Sequence, residues 1–316
     1  MSRTEPRAEY SSFAVIGAGA VGCILAAHLS ACGRRVIMVD PDESRRKAVA
    51  ENGIAIKGLK DLQALVHGAF HSDEDLAGLD INAALVAVKA YQLEEVAQNL
   101  ERVAPPMIPI VSFQNGLDTG EVLASRLGRD RVLDVVVNFG GAMAEPGVVD
   151  MQFFHGANLI GCLEPAGISA ALTLASVFTE CGLATEFSAE IRRSMWEKAV
   201  NVSAMAPVAA ITGLSMEQVM SDTDLRQAVR LALEEGVEVA RREGIGLDDE
   251  FLMNVMDYMD RAGGHRPSLA MDFMAGHPTE IDFLSGKIIE YGRSHRAPTP
   301  VLESYYRLIK EGGAAK

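Results

Sequence analysis

The sequence predicts an α/β protein, a doubly wound parallel sheet followed by an all-α C-terminal part. Two observations predict it. Short apolar runs of strand length alternate with helical stretches as far as about residue 188, and past Ala189 the strand-like runs disappear. Such alternation argues for a parallel sheet covered on both faces. At 316 residues the chain is also too long for one ordinary core and about right for two. The expected division is 1–189 and 190–316.

In order, Phe13 to Ile16 is an apolar strand, Ala20 to Cys32 is small, apolar and helix-compatible, and Gly33 closes it. Val36 to Val39 is a second strand, ending in Asp40. Pro41 to Asn52 has helical composition, with Pro41 suited to a helix start. Ile54 to Ile56 and Leu62 to His67 look like short strands around Gly58. Ala83 to Val88 is a buried strand ending at Lys89-Ala90-Tyr91-Gln92, and a helix follows to about Val103. Ile108 to Phe113 is a strand ending at Gln114-Asn115-Gly116. Thr119 to Leu127 then reads as helix and Val132 to Val137 as strand. From Asn138 to about Ser188, glycines and Pro146-Gly147 separate short β-like runs, expected as an antiparallel extension of the same sheet. Ala170 to Cys181 is a helix within that stretch, and Ala184 to Phe187 a strand. Seven helices complete the chain: Ile191–Ile211, Ser215–Met220, Asp224–Glu243, Asp248–Arg261, Ser268–Gly276, Thr279–His295 and Pro300–Glu311.

The first strand runs into Gly17-Ala18-Gly19-Ala20-Val21-Gly22, a G-x-G-x-x-G between strand and helix. Each position has a job in binding a dinucleotide. Gly17 permits the tight turn, Gly19 lets the backbone approach a pyrophosphate, and Gly22 lets the helix pack close to the strand. The pyrophosphate would sit on the free N–H groups of the helix beginning near Ala20. Asp40, 23 positions after Gly17, stands where a carboxylate would accept hydrogen bonds from ribose hydroxyls. The competing reading is a tight βα turn with no ligand. In a doubly wound sheet, ligands lie at the carboxyl ends of the strands, where strand order reverses. Three loops should meet there, Gly17–Gly22, Lys89–Gln92 and Gln114–Gly116, with the helical domain closing over the nicotinamide end.

Composition narrows the partners. Forty-three acidic against 29 basic residues give a net charge of −14, which argues against nucleic acid or an anionic membrane surface. No uninterrupted apolar run approaches the roughly 20 residues of a membrane span. The N-terminus, MSRTEPRAEYSS, lacks the apolar middle of a secretion signal and is expected as a short frayed arm. Cys23, Cys32, Cys162 and Cys181 show no C-x-x-C spacing. They are expected as plain thiols in a reducing cytoplasm, the first two packed inside the first helix. The histidines are scattered, and no metal site is expected.

Hydride transfer needs an oriented cofactor and a proton donor. Lys198, in Ser194–Asn201, precedes two mostly apolar helical turns. A lysine facing a partly desolvated pocket has its pKa lowered into a useful range; the alternative is a surface lysine at the edge of an amphipathic helix. Glu280, after Thr279 as a plausible N-cap, would occupy a first helical turn that stabilises a carboxylate. The functional alternative is a carboxylate that orients Lys198 or holds ribose or substrate. Asn115 stands at a strand end beside Gly116, where turn chemistry alone also accounts for an Asn-Gly.

GAGAVG at the N-terminus, VKAYQ at 88–92, QNGL at 114–117, WEKAVN at 196–201 and SLAMDFMAGHPTEIDFLSG at 268–286 together resemble the ketopantoate reductases, over nearly the whole chain. The resemblance implies a Rossmann domain with a helical domain like the C-terminal domain of 6-phosphogluconate dehydrogenase. It implies NAD(P)H-dependent reduction of a 2-oxo acid to a D-2-hydroxy acid. By it, Lys198 is the catalytic lysine that donates the proton and Glu280 the active-site glutamate near that lysine and the cofactor. Asn115 matches the asparagine at the cofactor–substrate junction and Ser268 the serine that binds the substrate carboxylate. Lys89, Gln92 and Ala142 match cofactor-proximal positions.

Two departures matter. Many members hold an NADP 2′-phosphate with a basic residue where this chain has Pro41, preceded by Asp40. A carboxylate repels that phosphate, so NADH is expected over NADPH. The family also carries asparagines four and eight residues after the lysine, on one helix face. Here they are Val202 and Ala206, and Asn201 lies about 100° away around the helix. Losing a polar partner costs roughly 1–3 kcal/mol, so ketopantoate is expected to be a poor substrate and the true one a less polar 2-oxo acid. Two other readings stand: a true 2-dehydropantoate 2-reductase, and an NAD(H)-binding sensor without turnover. The apolar helices suit a homodimer face and a monomer alike.

Overall fold

The computed structural model describes residues 10–314. The expected frayed arm therefore lies outside the described residues as far as residue 9, while Ser12 already begins the first strand. The described chain forms two compact units. One runs to Gln114 and resumes from Asp118 to Ile191; the other holds Asn115–Leu117 and the chain from Arg192 onward.

In the first unit, β1 (Ser12–Ile16), α1 (Ala20–Ala31) and β2 (Arg35–Val39) form the opening strand–helix–strand. All five β1 residues are buried, as a central parallel strand covered on both faces must be. Helix α2 (Glu43–Asn52) starts later than its composition suggests. Its N-cap is Asp42, whose carboxylate accepts from Ser44 and Arg45 N–H, and Pro41 stays outside. After β3 (Ile54–Gly58) and β4 (Leu62–Ala64) comes β5 (Gly68–Phe70). This short edge strand pairs in parallel with β2 and carries no sequence signal of its own. Then follow β6 (Ala83–Val86), α3 (Leu93–Val103), β7 (Ile110–Ser112), α4 (Thr119–Leu127) and β8 (Val132–Val136). The unit closes with β9 (Phe139–Glu145), β10 (Val148–Phe154), β11 (Asn158–Cys162), α5 (Ile168–Glu180) and β12 (Thr185–Phe187).

The main sheet has the order β12-β11-β8-β7-β6-β1-β2-β5 and is parallel except where β11 meets β8. Strand order reverses at β1, which has β2 on one side and β6 on the other, Ile16 facing both Val39 and Val86. The expected antiparallel extension is only half right. β11 and β12 extend the main sheet, but β9 and β10 pair with β3 and β4 in a separate four-stranded sheet. Pairing across that distance in sequence leaves no local periodicity to read. Phe13, Phe113 and Phe178 meet in the core, with ring centroids 6.5 and 5.9 Å apart. Cys23 is buried as expected, but Cys32 is not inside α1; it is the exposed residue capping its C-terminus.

Among the described residues seven helices follow: α6 (Ile191–Thr212), α7 (Met216–Ser221), α8 (Thr223–Arg242), α9 (Asp249–Asp260), α10 (Ser268–Met274), α11 (Ser285–Ser294) and α12 (Pro300–Ala314). The helix expected over Thr279–His295 is shorter. Ile281–Phe283 form one 3-10 turn, and α11 begins only at Ser285. Leu284, at φ −105° and ψ −104°, breaks the helical path. No helix among the described residues is long and apolar enough to cross a membrane.

Candidate active site

In the first unit, backbone forms the candidate binding feature. Gly17 N–H donates to Val39 O, and Gly17 has φ +104°, which disfavours any residue with a Cβ. A Cβ on Gly17 would also meet the Ala87 carbonyl at 2.9 Å, and one on Gly22 would fall 1.9 Å from Gly17 O. A Cβ on Gly19 would meet nothing within 4 Å. Gly17 and Gly22 therefore hold the turn together, while Gly19 faces open space. Helix α1 has no side-chain cap at Gly19, so the first-turn N–H groups at Ala20, Val21 and Gly22 take no capping side chain. Uncapped N–H groups at the positive end of a helix suit a phosphate. This backbone fits the pyrophosphate of a dinucleotide.

Asp40 is buried and already engaged. One oxygen accepts from Ala18 N–H at 2.6 Å and the other from Asp42 N–H at 2.9 Å. It ties the glycine turn to the end of β2 while its carboxylate keeps further lone pairs. Arg45 lies 3.7 Å from Asp40 and 3.9 Å from Asp42. Gln92 accepts from Lys89 N–H at 3.3 Å and so shapes its own loop. Ala142 lies in the separate four-stranded sheet, opposite Asp150. One organising residue had no assigned role: Gln114 is buried, donates to Val86 O and Val88 O at 2.8 and 3.0 Å, and accepts from Ser112 Oγ at 2.7 Å. It clamps the ends of β6 and β7 together. A glutamine closing a buried strand was the signal available for it.

The second unit builds its site from side chains. Trp196, buried on α6, packs edge-on against Tyr291 of α11 with ring centroids 5.1 Å apart. A Cβ on Gly236 of α8 would come within 2.8 Å of Val200. These contacts fix the turn of α6 that carries Lys198. Burial pulls the Lys198 ammonium down to about 8, and the Glu280 carboxylate opposes that fall. Glu280 is itself buried, and it precedes the 3-10 turn instead of lying in a long helix, so its charge is not held by a helix terminus. Its surroundings are those of Lys198.

Asn115 belongs to this unit, where the next two residues dock on the Glu280 segment. Leu117 N–H donates to Phe283 O at 2.8 Å, and a Cβ on Gly116 would lie 2.7 Å from that same oxygen. Close approach thus explains the glycine of the Asn-Gly pair. Asn115 Oδ1 is buried and accepts no hydrogen bond. Val202 is half-buried and Ala206 buried, so the helix face beyond Lys198 is apolar. Ser203 Oγ, one residue on, is buried without a partner, a feature with no signal in sequence. Ser268 is exposed at the first position of α10.

Residues 13–165 match the family described as ketopantoate reductase PanE/ApbA, and residues 190–312 match its C-terminal domain. The chain belongs to the ketopantoate reductase family. It is an NAD(P)-dependent oxidoreductase of that family. A 2-dehydropantoate 2-reductase of Halobacterium salinarum is 25% identical over 297 residues, covering 94% of this chain and 97% of that one. The ketopantoate reductase structure from Ralstonia eutropha aligns with a TM-score of 0.87 at 26% identity, over 96% of this chain and 99% of the other. A ternary structure of D-mandelate dehydrogenase with NADH and anilino(oxo)acetate shares the fold, with a TM-score of 0.87 at 22% identity over 96% and 98% of the two chains.

Proposed function

We propose that this ketopantoate reductase-family member reduces a 2-oxo acid less polar than ketopantoate to its D-2-hydroxy acid, with NADH preferred. The observation that carries the reading is Lys198, a half-buried lysine whose ammonium is pulled down to about 8 by loss of water, with the buried Glu280 opposing that fall. A group with that pKa is charged and can give up its proton near neutral pH. The dinucleotide, when bound on the glycine turn, supplies the hydride. Lys198 hydrogen-bonds the ketone oxygen and passes it a proton as negative charge develops there. Glu280 keeps enough of the lysine protonated for that step. Asn115 Oδ1, an acceptor without a donor in the folded chain, takes an N–H or O–H of cofactor or substrate. Ser268 is assigned to the substrate carboxylate, and Lys89, Gln92 and Ala142 to the neighbourhood of the cofactor.

The substrate assignment rests on Val202 and Ala206, which offer methyl groups where amides would meet the hydroxyl of ketopantoate. The fold is also that of a mandelate dehydrogenase, so a 2-hydroxy acid with an apolar substituent suits at least one bearer of it. The cofactor assignment rests on Asp40, whose buried carboxylate at the end of β2 disfavours a 2′-phosphate, and on Arg45, whose charge is shared between Asp40 and Asp42. The second reading, 2-dehydropantoate 2-reductase itself, is favoured by the names of the curated relatives.

A panel of 2-oxo acids followed by NADH absorbance decides between them. Apolar and aromatic 2-oxo acids should exceed ketopantoate in kcat/KM by about tenfold or more, the worth of one unmet polar group. Parity with ketopantoate would return the chain to the second reading, and a clear NADPH preference would overturn the cofactor assignment.

A further inference from the structure

Away from the glycine turn, the far ends of α1 and α5 are built alike. Each closes on a Cys-Gly pair, Cys32-Gly33 and Cys181-Gly182, with the glycines at φ +81° and +83°. Each chain then turns back, Arg34 N–H donating to Leu29 O at 3.0 Å and Leu183 N–H to Phe178 O at 2.8 Å. The two helix ends are tied together. Arg34 reaches Glu180 at 3.4 Å, and His28 Nδ1 lies 2.8 Å from Cys181 O. Between those two links, the side chains of Cys32 and Cys181 interact with each other, and Arg34 faces the same Cys181 sulfur. Arg34 Nε–H is buried with no partner of its own.

The two sulfurs differ in access. Cys32 is exposed, whereas Cys181 is buried, and burial pushes its thiol up to about 12, with Arg34 opposing the rise. Neither of the other cysteines joins them: Cys23 Sγ donates to Ala18 O at the opposite end of α1, and Cys162 is half-buried in β11.

We propose that Cys32 and Cys181 are a redox-sensitive pair that closes to a disulfide when a hydroperoxide oxidises Cys32. The Cys32 sulfur attacks the O–O bond, which breaks to leave a sulfenic acid on Cys32 and, from hydrogen peroxide, one water. The Cys181 sulfur then attacks the Cys32 sulfur. The S–O bond breaks, and hydroxide leaves as a second water with the Cys181 proton. Two thiols lose two electrons and two protons, and the peroxide is reduced. Access selects the order, because oxidation follows thiol exposure. The buried partner resolves the sulfenic acid, and the Arg34 guanidinium stabilises the thiolate it forms in doing so.

The test treats the full chain with a small excess of hydrogen peroxide, alkylates remaining thiols after denaturation, and maps peptides without reduction. A cross-linked peptide joining Cys32 and Cys181, released by dithiothreitol, is expected. The oxidised chain should melt about 5 °C or more higher, because the bond closes a loop of roughly 150 residues in the unfolded chain. Cys181→Ser should let Cys32 run on to sulfinic acid, and Cys32→Ser should leave Cys181 a free thiol. The second variant changes an exposed residue and carries the test if the first does not fold. Wild-type Cys32 recovered as sulfinic acid with Cys181 fully alkylated, or linked to Cys32 of a second chain, would overturn the pairing.

Discussion

The glycine turn of the first unit and the Lys198–Glu280 pair of the second prepare for chemistry by opposite means. The turn works through backbone: uncapped N–H groups, a tight crossing at Gly17 and Gly22, and open space at Gly19. Its tolerance is set by volume. The pair works through side chains whose loss of water sets their charge, and its tolerance is set by ionisation. A backbone site should therefore break when a methyl group is added, and a side-chain site when a charge is removed.

The largest expected effect is at the lysine. Lys198→Ala should lower kcat by roughly 10²–10⁴-fold, the usual worth of a positioned proton donor, while the Kd for NADH, measured by fluorescence, stays within about threefold, inside the scatter of single-contact effects. Retained turnover would reduce Lys198 to a structural residue. Next comes the turn. Gly22→Ala places a Cβ 1.9 Å from a carbonyl oxygen, so α1 must shift. Overpacking of about 3 kcal/mol corresponds to roughly 100-fold in NADH affinity.

Gly19→Ala sharpens the contrast within one loop. It should leave Tm unchanged, since nothing lies within 4 Å, yet weaken NADH binding by about tenfold by holding off the pyrophosphate. If both alanine variants unfolded alike, Gly19 would be structural too. The electrostatics of the pair should appear in the pH profile. On the proposed mechanism the reductive kcat needs a protonated Lys198, so it should fall as pH rises through about 8, and the oxidative direction should rise through the same point. Glu280→Gln removes the charge that favours the ammonium and should move both limbs down by about one unit. Movement upward would contradict the pairing.

The smallest effect concerns stability, not catalysis. Asp134, buried on β8, is pushed up to about 7 by burial, with the Glu121 charge adding to the rise. Its folded pKa exceeds the ordinary value, so its contribution is complete below that value and fades as pH rises toward 7. Asp134→Asn should match the wild type in Tm near pH 4 and exceed it by about 3 °C at pH 8.

Much of the fold was legible because its signals are local. Phe13–Ile16, the glycine run and the small-residue helix after it lie within one strand–turn–helix, where spacing and residue size suffice. The Asp42 cap is equally local, one residue after the Pro41 whose ring also suits a helix start. β5 and the second sheet were hidden because their partners are distant in sequence. The Thr279–His295 helix failed for a related reason: Phe283 O is taken by Leu117 N–H, a contact no helical periodicity reports.

The sequence by itself determined the chemistry available: glycines where a backbone must cross, an acid at the end of β2, and a lysine on an apolar helix. Only the tertiary structure decided what those groups are. It put the Asp40 carboxylate on Ala18 N–H, took Glu280 out of a helix, and withdrew Lys198 far enough from water to pull its ammonium down to about 8. Residue type is a property of the chain, but charge state and hydrogen-bond partners depend on how much water folding removes and which distant groups it brings close.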